Sequence, residues 1–165
     1  RDVGIVQPQV HRFLNLMETS YQAIRLPAFA VNRTRRLIKA PKLYWSDTAL
    51  ALFLAGETEP RGPHLENLVL ADLLAWRDVQ ARRPEVLYWR TATGLEVDFV
   101  METPARLLPV EVKAAARVTP GDAKGLEAFL DEYPDATDGA LLLHGGEDTF
   151  PLSRRVLAAP WWRAC

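Results

Sequence analysis

Val10, Phe13, Leu14 and Met17 recur at i, i+3, i+4 and i+7, the spacing of one helical face, and predict an amphipathic helix starting near Pro8. Pro8 suits a first turn, because the amide it lacks would find no partner there. Two short apolar runs follow at 28–31 and 43–45, separated by a basic stretch at 32–39, and together they predict a loose hairpin. Residues 56–63 are dense in Gly and Pro and mark an internal boundary. From 65 to 76 the chain is apolar almost all round, which predicts a buried central helix, and Pro84 closes that region. Strands are predicted at 86–90, 95–100 and 107–113, with turns at Gly94 and at Thr103-Pro104. Links this short favour an antiparallel meander. Thr119-Pro120-Gly121-Asp122 has the form of a helix start, with a capping Thr, a proline in the first turn and an acid at the third position. Leu126, Phe129, Leu130 and Tyr133 then keep helical spacing as far as Pro134. Residues 139–143 are a short continuous apolar run, the pattern of a buried strand. The tail at 150–162 is apolar and is expected to pack back on the domain without an assigned form, and Trp45, Trp76 and Trp89 are expected in the core.

The polar residues inside these patterns carry the chemistry. Strict alternation on the second strand puts Leu95, Val97, Phe99 and Met101 on one face and Glu96 and Asp98 on the other. On the third strand Leu108, Val110 and Val112 take the apolar face, so Glu111 and Lys113 share the opposite one. If the two strands pair in register, Asp98, Glu111 and Lys113 meet. Glu66 lies on the same helical stripe as Val69, Leu70 and Leu73, where a carboxylate is costly to bury unless a cation or metal ion compensates it. Three carboxylates and an ammonium form a donor set for a hard cation, Mg²⁺ or Mn²⁺. Water bound to such an ion beside a lysine can attack a phosphodiester while positive charge stabilises the developing oxyanion.

Composition narrows the field. A chain of 165 residues, 48% hydrophobic and 25% charged, is the profile of a soluble domain with one well-buried core and a small appendage. No apolar run approaches the roughly 18–20 residues of a membrane span, and no signal peptide pattern is present. The first residue is Arg1, so the chain is expected to be a piece of a longer protein. Cys165 is the only cysteine, which excludes a disulfide or a Cys-based zinc site within the chain and agrees with a reducing cytoplasm. With a net charge of −1, any nucleic-acid contact must come from a local patch. Arg25, Arg33, Arg35, Arg36, Lys39 and Lys42 form one, because no acid occurs between Tyr21 and Trp45. Arg33, Arg35, Arg36, Lys39 and Lys42 are the candidate phosphate contacts, the alternatives being a solvated surface or a contact with a neighbouring domain. His11, His64 and His144 have no ligand spacing and are expected in ordinary hydrogen-bonding roles.

Glu66 in a helix, then Val97-Asp98, then Glu111-Val112-Lys113 resembles the PD-(D/E)XK nuclease superfamily, a restriction-endonuclease-like α/β fold whose core order is helix, three-strand antiparallel meander, helix, strand. The resemblance implies that Asp98 and Glu111 bind the divalent metal with the backbone carbonyl of Val112. It implies further that Lys113 orients the nucleophilic water and that Glu66 is an auxiliary ligand or orienting group. Val97 stands where the motif name has Pro. A closer resemblance, to the DUF4143 domain, is carried by Pro41-Lys42-Leu43-Tyr44-Trp45-Ser46-Asp47, Leu65-Glu66-Asn67-Leu68-Val69, Tyr88-Trp89-Arg90, Glu96-Val97-Asp98-Phe99-Val100 and Val110-Glu111-Val112-Lys113. In that family the domain ends prokaryotic AAA+ ATPases, after a P-loop ATPase and a winged-helix segment. The resemblance implies a partial winged helix at 1–45, with its recognition helix near Val10 to Met17 and the basic hairpin as wing. The nuclease-like domain would occupy 46–165. It also implies a cytoplasmic location, DNA as a partner, and contact with the ATPase region of the same full-length protein. No G-x-x-x-x-G-K-[ST] loop is present, so no ATP site is expected here. The expected function is Mg²⁺-dependent DNA phosphodiester hydrolysis. The alternatives are a catalytically silent DNA-binding or regulatory module and a protein-interaction domain with a vestigial site.

Overall fold

The chain opens on a helix, α1 (Gln7–Thr19), with Pro8 in its first turn as its spacing predicts. The computed structural model describes residues 4–32 and 40–163. The apolar stripe of α1 is not covered within them: Val10 and Phe13 are exposed, and Leu14 and Met17 are only half-buried. Strands β1 (Ala23–Leu26) and β2 (Lys42–Trp45) then pair antiparallel, with Leu26 opposite Lys42. The first arm of the hairpin therefore lies at 23–26 and not at 28–31. Pro27 has no amide to extend a ladder, and the chain docks instead on the edge of β3 (Glu85–Arg90). There Tyr88 N–H donates to the Pro27 carbonyl at 3.0 Å and Phe29 N–H to the Tyr88 carbonyl at 2.5 Å. Arg33, Arg35, Arg36 and Lys39 lie outside the described residues, as do Arg1 and Cys165. Arg25 bonds Asn15 and pairs with Glu18 of α1.

Two helices lead into the main sheet. The first, α2 (Thr48–Ala55), falls where the hydrophobic pattern assigns nothing. Asp47 caps it by accepting from Leu50 N–H at 2.9 Å, and Gly56 ends it in the left-handed conformation at φ 67°. The second, α3 (Gly62–Asp78), is the expected central helix. It buries Asn67, Val69, Leu70 and Leu73 on one side, while Trp76 is exposed rather than in the core.

β3, β4 (Glu96–Glu102) and β5 (Leu107–Lys113) form the predicted antiparallel meander. The Thr119–Asp122 capping box forms as expected and leads through a short 3-10 turn into α4 (Lys124–Glu132). The chain returns as β6 (Ala140–His144), parallel to β5. The unassigned tail supplies two further strands: β7 (Phe150–Pro151), antiparallel to β8 (Val156–Pro160), which itself runs parallel to β6. The sheet order is β3-β4-β5-β6-β8-β7. Both faces are covered, giving a mixed α/β architecture. On one face Phe99, Met101, Val110 and Val112 pack against Val69, Leu70 and Leu73 of α3. On the other, Leu87, Trp89, Val97, Val100 and Leu142 pack against Leu126, Phe129 and Leu130 of α4.

Gly125 sets how closely α4 approaches the start of β4. A methyl group there would lie 2.0 Å from the Glu96 carbonyl oxygen, which is main chain and has no flexible end to yield. Gly125→Ala should therefore cost about 2–3 kcal/mol and lower the urea midpoint. Gly62→Ala, with nothing within 4 Å, should change the midpoint little. Equal midpoints for the two variants would show that α4 does not seat on β4 in this way.

Candidate functional site

The site lies where β4 and β5 part company. Leu87 faces Val100 and Trp89 faces Val97, so three residue steps of β4 (100 to 97) match two of β3 (87 to 89). The extra residue is a β-bulge in β4, and it corrects the strict alternation read from the sequence. Val97 joins the α4-side core while Phe99 and Met101 join the α3-side core. Asp98, at the bulge, turns its carboxylate toward α3, where it shares a cation with Glu66.

Pairing of β4 with β5 stops at Phe99 opposite Val110, one residue short of Asp98 and Glu111. Beyond that point the carboxylates replace main-chain acceptors. Val112 N–H donates to Asp98 Oδ2 at 3.0 Å, and Asp98 N–H points to Glu111 Oε2 at 3.4 Å. Lys113 Nζ donates to Glu111 Oε1 at 2.6 Å. Both carboxylates are buried, each residue 8% exposed.

Lys42 is the main revision to the sequence reading. Expected with the basic stretch as a phosphate contact, it instead reaches from β2 into the acids. Its Nζ lies 3.1 Å from Glu66 Oε1 and 3.2 Å from Asp98 Oδ1, and it also pairs closely with Glu96. Tyr44, from the same strand, donates its hydroxyl to Glu66. Asn67 of α3 clamps β2 in place: its Oδ1 accepts from Trp45 N–H and its amide donates to the Trp45 carbonyl and to Thr48, all at 2.9 Å. Tyr44, Glu96 and Asn67 are thus parts of the site that the sequence reading left without a role. The signal that could have found Tyr44 was its alternation with Lys42 on one short strand, which puts both side chains on the same face.

Electrostatics follow from this crowding. Burial, then the charge of nearby Glu66, raises the Asp98 carboxyl above its usual range, against the opposing pull of Lys42 and of Val112 N–H. Burial, then the Asp98 charge, pushes Glu111 up to about 7 despite the Lys113 hydrogen bond. Burial alone would lower Lys42, but Asp98, Glu96 and Glu66 outweigh it and hold the ammonium above its ordinary value. Burial and the Glu66 charge likewise hold Tyr44 protonated. Glu66, Glu96, Asp98 and Glu111 outnumber the two ammoniums, and Arg90 pairs with Glu96 from the rim at 3.6 Å.

All four acids offer hard oxygen donors, the chemistry that suits Mg²⁺ or Mn²⁺. As arranged, no three His, Cys, Asp or Glu side chains among the described residues are disposed to hold a metal ion. The oxygens of Asp98 and Glu111 are already engaged by Lys42, Lys113 and two main-chain amides. His144 is buried and structural: Nδ1 accepts from Gly146 N–H at 2.9 Å and Nε2 lies 3.0 Å from the Asp148 carbonyl. No helix among the described residues is long and apolar enough to cross a membrane.

Residues 61–163 match the family described as "Domain of unknown function (DUF4143)", and residues 1–61 match a second, "Domain of unknown function (DUF8612)". Two relatives, "Uncharacterized protein Mb2031c" of Mycobacterium bovis and "Uncharacterized protein Rv2008c" of Mycobacterium tuberculosis, are each 29% identical over 168 aligned positions covering 97% of this chain. The chain spans 36% of the length of each. No solved structure matches it significantly.

The raised Glu111 carboxyl gives a pH dependence of known sign. Between about pH 4.5 and 7 the folded chain keeps a proton that the unfolded chain has lost, so stability falls as pH rises through that window, by on the order of 3 kcal/mol. Glu111→Gln should flatten this fall and be more stable than the parent at pH 8, as read by urea unfolding between pH 5 and 8. Parallel curves for the two proteins would refute the burial argument.

Proposed function

The chain belongs to the DUF4143 family, and we propose that this member is a nuclease-like module of the PD-(D/E)XK type that hydrolyses DNA phosphodiesters with Mg²⁺ or Mn²⁺. The observation that carries this reading is the pair of buried carboxylates, Asp98 and Glu111, at the fork of β4 and β5, with Lys113 bonded to Glu111. The element order α3-β3-β4-β5-α4-β6 supports it, being the order of that superfamily's core. So does the acid excess: Asp98, raised by burial and the Glu66 charge, and Glu111, raised by burial and the Asp98 charge, both favour a further cation, and such shifts cluster at functional sites.

Asp98 and Glu111 would hold the ion, with the Val112 carbonyl as a third donor and Glu66 as an auxiliary one. A bound divalent ion supplies charge stabilisation for the phosphate and lowers the pKa of coordinated water. Lys113, bonded to Glu111 beside that site, would orient the attacking water by hydrogen bonding. Glu66, fixed by Tyr44, would keep Asp98 aimed into the fork. We assign DNA contact to the basic stretch of Arg33, Arg35, Arg36 and Lys39. Residues 1–45 are read as part of a winged helix and 46–165 as the nuclease-like domain. We further propose that the full-length protein carries a cytoplasmic ATPase region working on the same DNA.

One observation favours a second reading, a catalytically silent DNA-binding or regulatory module. Lys42 already neutralises part of the acid cluster from within.

The two readings part in a nicking assay on supercoiled plasmid with Mn²⁺. The first predicts nicking by the parent protein and a loss of roughly a hundredfold or more in Lys113→Ala and Asp98→Asn, with DNA affinity retained. Absence of nicking on plasmid, single-stranded and branched DNA alike, in both Mg²⁺ and Mn²⁺, would leave the silent module as the function.

A further inference from the structure

Lys42 has no part in the hydrolysis just described, yet it is held as firmly as any residue of the site. An ammonium has three N–H donors, and here three carboxylates receive them, from Glu66, Glu96 and Asp98. The Nζ also lies 5.6 Å from the centre of the Tyr88 ring, within cation–π range. The main chain just before it is pinned, because the Tyr88 hydroxyl donates to the Ala40 carbonyl at 2.6 Å. Two residues on, Tyr44 bonds the same Glu66 oxygen that Lys42 contacts. These contacts place the ammonium in the fork by construction.

The two Asp98 oxygens are not equivalent. Oδ2 accepts the Val112 N–H, while Oδ1 accepts only from Lys42 among the described residues. Oδ1, free of the main chain, is the oxygen on the Glu66 side, so a cation shared by Asp98 and Glu66 meets the Lys42 ammonium there. Two positive charges a few ångströms apart in a partly buried site repel strongly. We propose that Lys42 is an intramolecular counter-ion that competes with a divalent cation for Asp98 Oδ1, so that the β1–β2 hairpin governs loading of the site. The inference rests on the metal-site reading above and adds a regulator to it. Lys42 rides on β2, within the segment matched to the second family, whereas Asp98 and Glu66 lie in the segment matched to DUF4143. Any partner that moves the hairpin changes the affinity of the site for its ion.

Two measurements at pH 8 test this on the purified protein. The first is Mn²⁺ affinity by titration calorimetry, with Lys42→Met expected to bind roughly tenfold tighter or more than the parent. The second uses the parent alone: the rate at which an acetylating reagent modifies Lys42, followed by mass spectrometry, with exposed Lys124 as internal reference. Saturating Mn²⁺ should raise the Lys42 rate several-fold and leave Lys124 unchanged. Equal or weaker binding by a folded Lys42→Met would overturn the proposal while leaving the metal site standing. If that variant does not fold, by circular dichroism, the acetylation result decides, and a Lys42 rate indifferent to Mn²⁺ that demonstrably binds overturns it. Failure of both proteins to bind Mn²⁺ would remove the metal site itself, and the competition with it.

Discussion

Everything at this site follows from the loss of one ladder rung. β4 and β5 stop pairing at Phe99 and Val110, and the next two residues are Asp98 and Glu111. Their carboxylates take the place of carbonyl acceptors for the orphaned amides, which satisfies main-chain donors but leaves two negative charges in a buried fork. Burying such charges is expensive unless cations answer them. The fold supplies those cations from two directions: Lys113 from the next outward position of β5, and Lys42 from a strand in another sheet.

That second cation makes the centre composite. Helix α3 brings Glu66, the bulged strand brings Asp98, and β2 brings Lys42 and Tyr44 from upstream of the DUF4143 match. Asn67 locks β2 to α3 through two hydrogen bonds to Trp45, and a third holds Thr48 of α2, so the upstream segment is fastened beside the acids it neutralises. The same attachment that stabilises the fork gives the hairpin leverage over it.

Much of the scaffold was legible in the sequence, because it rests on local rules. The strands at 85–113, the Thr119–Asp122 capping box and the helix through Leu126, Phe129 and Leu130 each declare themselves through periodicity or turn chemistry. Glu66 was legible as a carboxylate on an apolar stripe. The bulge was not, because Val97 and Phe99 are both apolar and a period of two fits them equally well whether or not they share a face. Lys42 was hidden for a similar reason: in sequence it belongs to a basic run, and only the pairing of β2 with β1 and its clamp to α3 turn it inward. β1 was misplaced by the apolar run at 28–31, where Pro27 interrupts the ladder and docking on β3 wins. The Asp47 cap and Gly56 stop of α2 were present, but eight residues without a polar face gave no amphipathic signal. β7 and β8 depend on the non-local partner β6, which local pattern does not name.

The central claim is that the fork between β4 and β5 is a divalent-cation site. An anomalous difference map from a crystal grown with Mn²⁺ at pH 8 addresses it directly. The account predicts a peak between the carboxylates of Asp98 and Glu111, within coordination distance of both. A well-ordered fork without such a peak, both side chains still held by their lysines and amides, would contradict it.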